Sequence, residues 1–185
     1  RRITQVKNLQ MTGCTLRNVP PQIGKMAHLE KLNLAVNELD DLPEEVGQLQ
    51  QLRHLILYRN KFNNVPQPLF RLNNLVELDI YYNALDSVSL EIGQLRNLKL
   101  LYLSNNRIRK LPASLGLLEN LEELYVHHNE LQDLPAGMTA MEKLRVLHIN
   151  DNKFSGFPPE ITGLKALEEL DISRNAVSTI PEEIL

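Results

Sequence analysis

The sequence predicts an α/β solenoid built from one repeated unit, and three observations support this fold class. Leucine occurs 36 times and asparagine 18 times among 185 residues. An ordinary hydrophobic core accounts for the leucines but gives no reason for so many asparagines. Seven of the asparagines follow one another at intervals of 23 residues, without insertion or deletion. A fixed period of this length is typical of chains whose successive units stack on one another.

Eight repeats cover the chain, and the last of them is cut short. Each reads LxxLxLxxNxLxxLPxxIGxLxx, and we number its residues as positions 1–23. The repeats begin at Val6, Leu29, Leu52, Leu75, Leu98, Leu121, Leu144 and Leu167. We interpret residues 1–185 as a single domain. Since neither end shows a polar capping element, we expect the domain to be a segment of a longer protein.

Each column of the repeat has a physical role. Positions 4 and 6 lie two residues apart, so they face the same side of a short strand, and strands 23 residues apart can stack in parallel. The position-9 amide both donates and accepts, so it can satisfy backbone groups that a buried turn leaves unpaired. This structural ladder comprises Asn37, Asn60, Asn83, Asn106, Asn129, Asn152 and Asn175, and Cys14 replaces it in the first repeat. Proline at position 15 ends the extended segment, and the IGxL motif after it suits a single helical turn.

These motifs resemble the leucine-rich repeat family over essentially the whole chain. The 23-residue LPxxIGxL form is similar to the intracellular Ras-group repeats of Scribble- and Erbin-like proteins, and bacterial proteins carry near-identical repeats. The resemblance implies a right-handed horseshoe, with a parallel β-sheet on its concave side and irregular or short helical segments on its convex side. It also implies that positions 3, 5, 7 and 8 of each repeat face the concave surface.

Aromatic side chains with a polar end concentrate in these four columns. All five tyrosines and four of the five histidines lie there, whereas the phenylalanines lie elsewhere. High strand propensity explains one or two exposed tyrosines, but tyrosine is also a favoured anchor at protein interfaces. We therefore predict that a protein or peptide partner binds the concave face. The predicted partner-binding residues are Ile56, Tyr58, Arg59, Tyr81, Tyr82, Tyr102, Tyr125, His127, His128 and His148.

Other functions are less well supported by the sequence. No phosphate-binding loop, HExxH, GxSxG or CxxC motif is present, so we expect neither an enzyme nor a cofactor. The segment could instead be a structural spacer or scaffold that positions catalytic or signalling domains outside it. A weaker alternative is a ligand or metal site at His127, His128 and His148, although no metal is expected because no thiolate or carboxylate clearly completes the set.

Charge limits the choice of partner. The formal net charge is −3 and no basic run occurs, which argues against nucleic acid, and no apolar stretch is long enough to cross a membrane. The concave face is expected to be basic in the second and third repeats and acidic in the sixth to eighth, so a partner should dock in one orientation. The basic residues are Lys31, Arg53, Arg59 and Lys61, and the acidic ones are Glu123, Asp151, Glu169 and Asp171.

Two absences suggest where the protein works. Extracellular animal members of the resembled family usually carry cysteine-rich caps, whereas this chain has a single cysteine. None of its asparagines lies in an N-x-S/T glycosylation motif. We therefore expect a cytoplasmic protein, with a bacterial secreted or periplasmic one as the alternative.

Overall fold

The computed structural model describes residues 4–184, except for the side chain of Glu183. Residues 1–3 and Leu185, at the ends of the predicted domain, lie outside the described part. Eight strands form one parallel sheet in which the strands follow each other in chain order. They are β1 (Asn8–Gln10), β2 (Lys31–Asn33), β3 (His54–Ile56), β4 (Glu77–Asp79), β5 (Leu100–Tyr102), β6 (Glu123–Tyr125), β7 (Val146–His148) and β8 (Glu169–Asp171). The predicted parallel solenoid is confirmed.

The register of the sheet equals the period of the sequence, so each strand pairs with residues 23 positions away. Leu78 of β4, for example, lies opposite Leu101 of β5. Because equal positions stack, the leucines of position 4 and the leucine, isoleucine and valine residues of position 6 form continuous buried rows in repeats two to seven. Burial is complete or nearly complete at Leu32, Leu34, Leu55, Leu57, Leu101 and Leu103. Within residues 4–184, the buried apolar side chains of successive repeats form one shared core.

A short 3-10 helix follows each strand and forms the opposite side of the solenoid. All eight begin directly after the position-15 residue, which has an extended backbone at Pro43, for example (φ −67°, ψ 150°). The single helical turn predicted for the IGxL motif is confirmed. The helices are Pro21–Lys25, Glu44–Gln48, Gln67–Arg71, Leu90–Gln94, Ala113–Leu117, Ala136–Ala140, Pro159–Gly163 and Glu182–Ile184. No helix within residues 4–184 is long and apolar enough to span a bilayer.

The asparagine ladder links each repeat to the one before it. The Asn106 amide Nδ2 donates to the carbonyl of Leu103 (2.8 Å) and to that of Ile80 in the preceding repeat (3.2 Å). Its Oδ1 accepts the backbone N–H of Leu85 at 2.9 Å. The other six ladder asparagines bond in the same way. Cys14 offers only an exposed thiol 3.7 Å from the Thr12 carbonyl, so the first repeat has a far weaker contact at this column.

A second, shorter set of asparagines was missed by the sequence analysis. Asn74, Asn97 and Asn120 occupy position 23 in three successive repeats. Each Nδ2 donates to the carbonyl of the position-22 residue one repeat earlier, at 2.8–2.9 Å. Their spacing of 23 residues was visible in the sequence, but asparagine occupies this column in only three repeats. These bonds tie together the middle of the solenoid on the flank away from the position-9 ladder.

Candidate binding surface

The side chains of positions 3, 5, 7 and 8 form the face of the sheet opposite the leucine core. Within strands β2 to β7 the middle residue is buried and the two flanking residues are half-buried, since successive strand residues point to opposite faces. Every residue of the predicted partner-binding set lies on this face. The structure then shows which of them come into contact.

Three tyrosines of the third and fourth repeats form the first cluster. The rings of Tyr58 and Tyr81 stack with centroids 5.5 Å apart and planes 14° from parallel. Tyr82 meets both of them edge-on, at 4.7 Å from Tyr81 and 6.1 Å from Tyr58. Stacked and edge-to-face pairs are the preferred geometries of aromatic rings, each stabilising by about 0.5–1.5 kcal/mol beyond burial. The cluster is therefore a preformed surface on which Tyr82 remains 49% exposed.

The second cluster lies one column away, in the fifth to seventh repeats. Tyr102 and Tyr125 stack with centroids 4.9 Å apart and planes 7° from parallel. His148 continues the column and meets Tyr125 edge-on, also at 4.9 Å. The Tyr125 hydroxyl donates to Glu123 Oε2 at 2.8 Å, which orients the ring. These residues occupy position 5, whereas the stacked tyrosines of the first cluster occupy position 7.

His127 joins the two clusters. Its ring centroid lies 6.0 Å from Tyr81, 6.2 Å from His148 and 5.5 Å from His128. Tyr81 and His127 belong to repeats four and six, and they meet because the residue between them is the small, fully buried Ser104. The Ser104 hydroxyl lies 2.9 Å from His127 Nδ1, which fixes the imidazole ring. Ser104 was not predicted from the sequence, in which its only signal is a small residue between two aromatic ones in the same column.

Eight of the ten predicted binding residues thus form one connected network, which we call the aromatic patch. Ile56 and Arg59 lie beside it: Ile56 is half-buried opposite Asp79 in the sheet, and Arg59 is exposed where the chain leaves β3. The aromatic patch consists of Tyr58, Tyr81, Tyr82, Tyr102, Tyr125, His127, His128 and His148.

Position 8 has an unusual backbone in every repeat. Seven non-glycine residues and Gly13 adopt positive φ there, with values of 51–68°. A side chain in this left-handed region costs roughly 1 kcal/mol or more, and a β-branched residue such as Val36 is a clear outlier. The residues are Gly13, Val36, Arg59, Tyr82, Asn105, His128, Asp151 and Arg174. Three predicted binding residues therefore lie in a strained turn. The hydrogen bonds of the asparagine ladder stabilise this turn.

Asp79 is a carboxylate that the sequence analysis did not assign to the binding site. It lies in column 5, opposite Tyr102 in the sheet, and its Oδ1 accepts the backbone N–H of Tyr81 at 3.0 Å. Burial raises the pKa of Asp79 to about 6, and the nearby charge of Glu77 adds to the shift. Burial also raises the pKa of Tyr102, and the carboxylates of Glu123, Glu77 and Asp79 raise it further. This part of the patch therefore carries closely spaced negative charge.

The histidines of the patch differ in environment. Burial, followed by the charges of His128 and His148, lowers the pKa of His127, which favours the neutral imidazole. His148 Nε2 lies 2.7 Å from Glu169 and His128 Nε2 lies 3.6 Å from Asp151. Among residues 4–184, no three His, Cys, Asp or Glu side chains are arranged to hold a metal ion. The geometry thus gives no support to the alternative of a metal site at the histidines.

The chain resembles known proteins in sequence and in structure. A family model described as a leucine-rich repeat region matches residues 78–185. No curated protein matches the chain. A leucine-rich repeat protein of Leptospira interrogans has a similar structure, with 31% identity and a TM-score of 0.83 over 92% of this chain and 49% of its own.

Two plant receptors also resemble the chain. The ectodomain of the membrane receptor kinase GASSHO1/SCHENGEN3 from Arabidopsis thaliana, solved with CASPARIAN STRIP INTEGRITY FACTOR 2, is 32% identical with a TM-score of 0.80, over 95% of this chain and 21% of its own. The plant peptide hormone receptor RGFR1, solved with RGF2, is 27% identical with a TM-score of 0.77, over 98% and 34%. The chain thus spans half or less of the length of each of these structures. Their likeness shows that the parallel sheet and short helices form a horseshoe.

Proposed function

The chain belongs to the leucine-rich repeat family, and from this premise we propose that it is a protein-interaction module that binds a protein or peptide partner on its concave face. The observation that carries the proposal is the aromatic patch, in which eight rings of five successive repeats form one connected surface. Neither the buried leucine rows nor the asparagine ladder requires rings at these positions, because the first two repeats form the same sheet without them.

The dimensions of the patch fit a peptide or a helix. Strands of a sheet lie about 4.8 Å apart, so the five strands β3 to β7 span roughly 19 Å. Tyrosine buries a large area at low cost in side-chain entropy, and stacking has already restricted the ring orientations before a partner arrives. The two plant receptors support the proposal because both have a similar fold and were solved in complex with a second component.

A display selection tests the proposal, because it finds binding peptides without a named partner. Peptides selected on the intact chain are measured against Tyr81→Ser/Tyr102→Ser, which removes one ring from each cluster. We expect binding to weaken by roughly thirtyfold or more, because anchor residues at interfaces typically contribute 2 kcal/mol or more.

The matched control removes apolar surface from the opposite side of the solenoid. Leu90 and Leu117 are 67% and 47% exposed within their 3-10 helices, so Leu90→Ser/Leu117→Ser should leave peptide binding unchanged. Equal binding by the double tyrosine variant, or loss confined to the leucine variant, would contradict the proposal.

A further inference from the structure

Asp79 lies at a corner of the aromatic patch where each of the two tyrosine stacks places one ring next to it. Tyr81, two residues further along the chain and on the same face, belongs to the Tyr58 stack, and Tyr102, its partner in the sheet, belongs to the Tyr125 stack. A carboxylate at this corner therefore has a tyrosine ring along its own strand and another across the sheet. We call Asp79, Tyr81 and Tyr102 the junction.

Negative charge predominates around the junction. In the four concave columns of repeats three to six, the acidic residues are Glu77, Asp79 and Glu123, and the one lysine or arginine is Arg59, which is exposed where the chain leaves β3. His54 Nδ1 lies 2.8 Å from Glu77 Oε2, and the Tyr125 hydroxyl donates to Glu123, so these two carboxylates have protein partners. The only hydrogen bond described for the Asp79 side chain is the one that its Oδ1 accepts from Tyr81 N–H.

The backbone contact of Asp79 does not require a charge. Asn33 occupies the same column in the second repeat, and its Oδ1 accepts the N–H of Ala35 at the same distance of 3.0 Å. Asp171 repeats the arrangement with Ser173, also at 3.0 Å. An amide therefore performs the local structural role, and the charge of Asp79 brings a cost of burial that this role leaves unexplained.

We propose that the junction binds a cationic side chain of the partner, an arginine or a lysine, with Asp79 as its ion-pair partner and the rings of Tyr81 and Tyr102 beside it. A half-buried carboxylate attracts a guanidinium or ammonium group more strongly than an exposed one does, and aromatic rings add cation–π attraction. Ile56, on the other side of Asp79 in the sheet, offers an apolar contact for the aliphatic part of the same side chain. This inference rests on the proposed function, because it assigns the chemistry of the partner at the same surface.

A pair of isosteric probes tests the junction directly. The ¹⁵N-labelled chain is titrated with Nα-acetyl-arginine amide and, separately, with Nα-acetyl-citrulline amide, which has nearly the same shape without the charge. We expect saturable shifts of the Tyr81 and Tyr102 backbone amides with the arginine probe, and about tenfold weaker binding of the citrulline probe. Equal binding of the two probes, or no saturable shift with arginine, would overturn the proposal.

Two variants test whether the preference for arginine over citrulline depends on Asp79. Asp79→Asn keeps the acceptor for the Tyr81 N–H and should abolish the preference for arginine over citrulline. Asp171→Asn makes the same change in the same column outside the aromatic patch and should leave the preference unchanged. A preference that persists in Asp79→Asn would show that the cation binds elsewhere and would refute the assignment.

The display selection separates this inference from the proposed function. Peptides selected on the intact chain should carry an arginine or lysine at one fixed position, and those selected on Asp79→Asn should not. If selected peptides depend on Tyr81 and Tyr102 but show no basic position, the junction assignment is wrong and the interaction module stands. If they bind independently of both tyrosines, the proposed function itself is wrong.

Discussion

Two neighbouring columns at the end of each strand behave in opposite ways. Position 9 is asparagine in seven repeats and makes the same bonds to backbone each time, as Asn106 and Asn129 show. Position 8 carries a different residue in nearly every repeat, yet its backbone always has positive φ. The difference shows how two adjacent residues divide two tasks. The constant asparagine at position 9 stabilises the turn, and position 8 next to it, although its backbone is strained, accepts many different side chains and so varies the surface.

The largest loss of stability is expected from a change in the buried leucine rows, because the turns at positions 8 and 9 depend on them. Leu101 is completely buried in β5, and Leu101→Ala should lower the free energy of unfolding by about 2–5 kcal/mol, because it removes buried surface and leaves a cavity. Leu100→Ala changes the half-buried neighbour on the concave face and should cost under about 1 kcal/mol. Urea denaturation of both variants measures the difference, and a loss below about 1 kcal/mol for Leu101→Ala would show that the register is wrong.

The next largest loss of stability is expected at position 9, the column of constant asparagines. Asn106→Ala should lower the free energy of unfolding by about 1–3 kcal/mol, because it leaves the Leu85 N–H and the carbonyls of Ile80 and Leu103 without their partner. Asn97→Ala provides the matched control, since Asn97 makes a single exposed bond to the Asn73 carbonyl and should cost much less. Similar losses in the two variants would mean that the ladder has no special role in the turn.

Asp79 should make stability depend on pH. Its pKa of about 6 in the folded chain is above the unfolded value near 3.8, so the folded state binds more protons between these limits and stability falls as the pH rises through them. Asp79→Asn should therefore raise the free energy of unfolding by about 1–2 kcal/mol at pH 7.5, after allowance for solvent screening, and by little near pH 4.

Asp171→Asn is the control for this pH effect. The hydrogen bonds from Ser173 lower the pKa of Asp171, so the same substitution should bring no gain in stability at pH 7.5. Urea denaturation at both pH values decides the question. A gain in Asp79→Asn that is the same at both pH values would contradict the assignment of the pH effect to Asp79.

The smallest change in stability is expected at position 8, the column with positive φ. Val36 is β-branched at φ 57°, and Val36→Asn should raise the free energy of unfolding by about 0.5–1 kcal/mol, since asparagine tolerates the left-handed region better. Asn105 occupies the same column at φ 53°, so the reverse change Asn105→Val should lower it by a similar amount. Thermal or urea unfolding of this pair checks the strain, and changes of the same sign in both variants would contradict it.

The features that recur in every repeat could be predicted from the sequence. The burial of Leu101 and the contacts of Asn106 were predictable because each is one of many equivalent residues whose shared environment follows from stacking. The composition of the concave face was also predictable, since the column places Tyr81 and Tyr102 on it. Their contacts were not, because ring–ring distances depend on side-chain orientation and on small neighbours such as Ser104, and neither has a periodic signal.

The same limit applies to charge and backbone conformation. Asp79 looks like any acidic residue of column 5 in the sequence, and its raised pKa comes from burial that only the packed side chains reveal. The positive φ of position 8 was not predictable from the sequence, because only the first repeat carries glycine there, at Gly13. In a repeat protein, the sequence therefore predicts which residues share a face more reliably than it predicts the contacts between them.

A crystal structure of the chain with a peptide selected on it shows directly whether the concave face binds the peptide. We expect the peptide to cross strands β3 to β7 and to contact both tyrosine stacks of the aromatic patch, with Tyr81 and Tyr102 at the centre of the interface. A peptide bound only to the 3-10 helices on the convex side would show that the concave face is not the binding site.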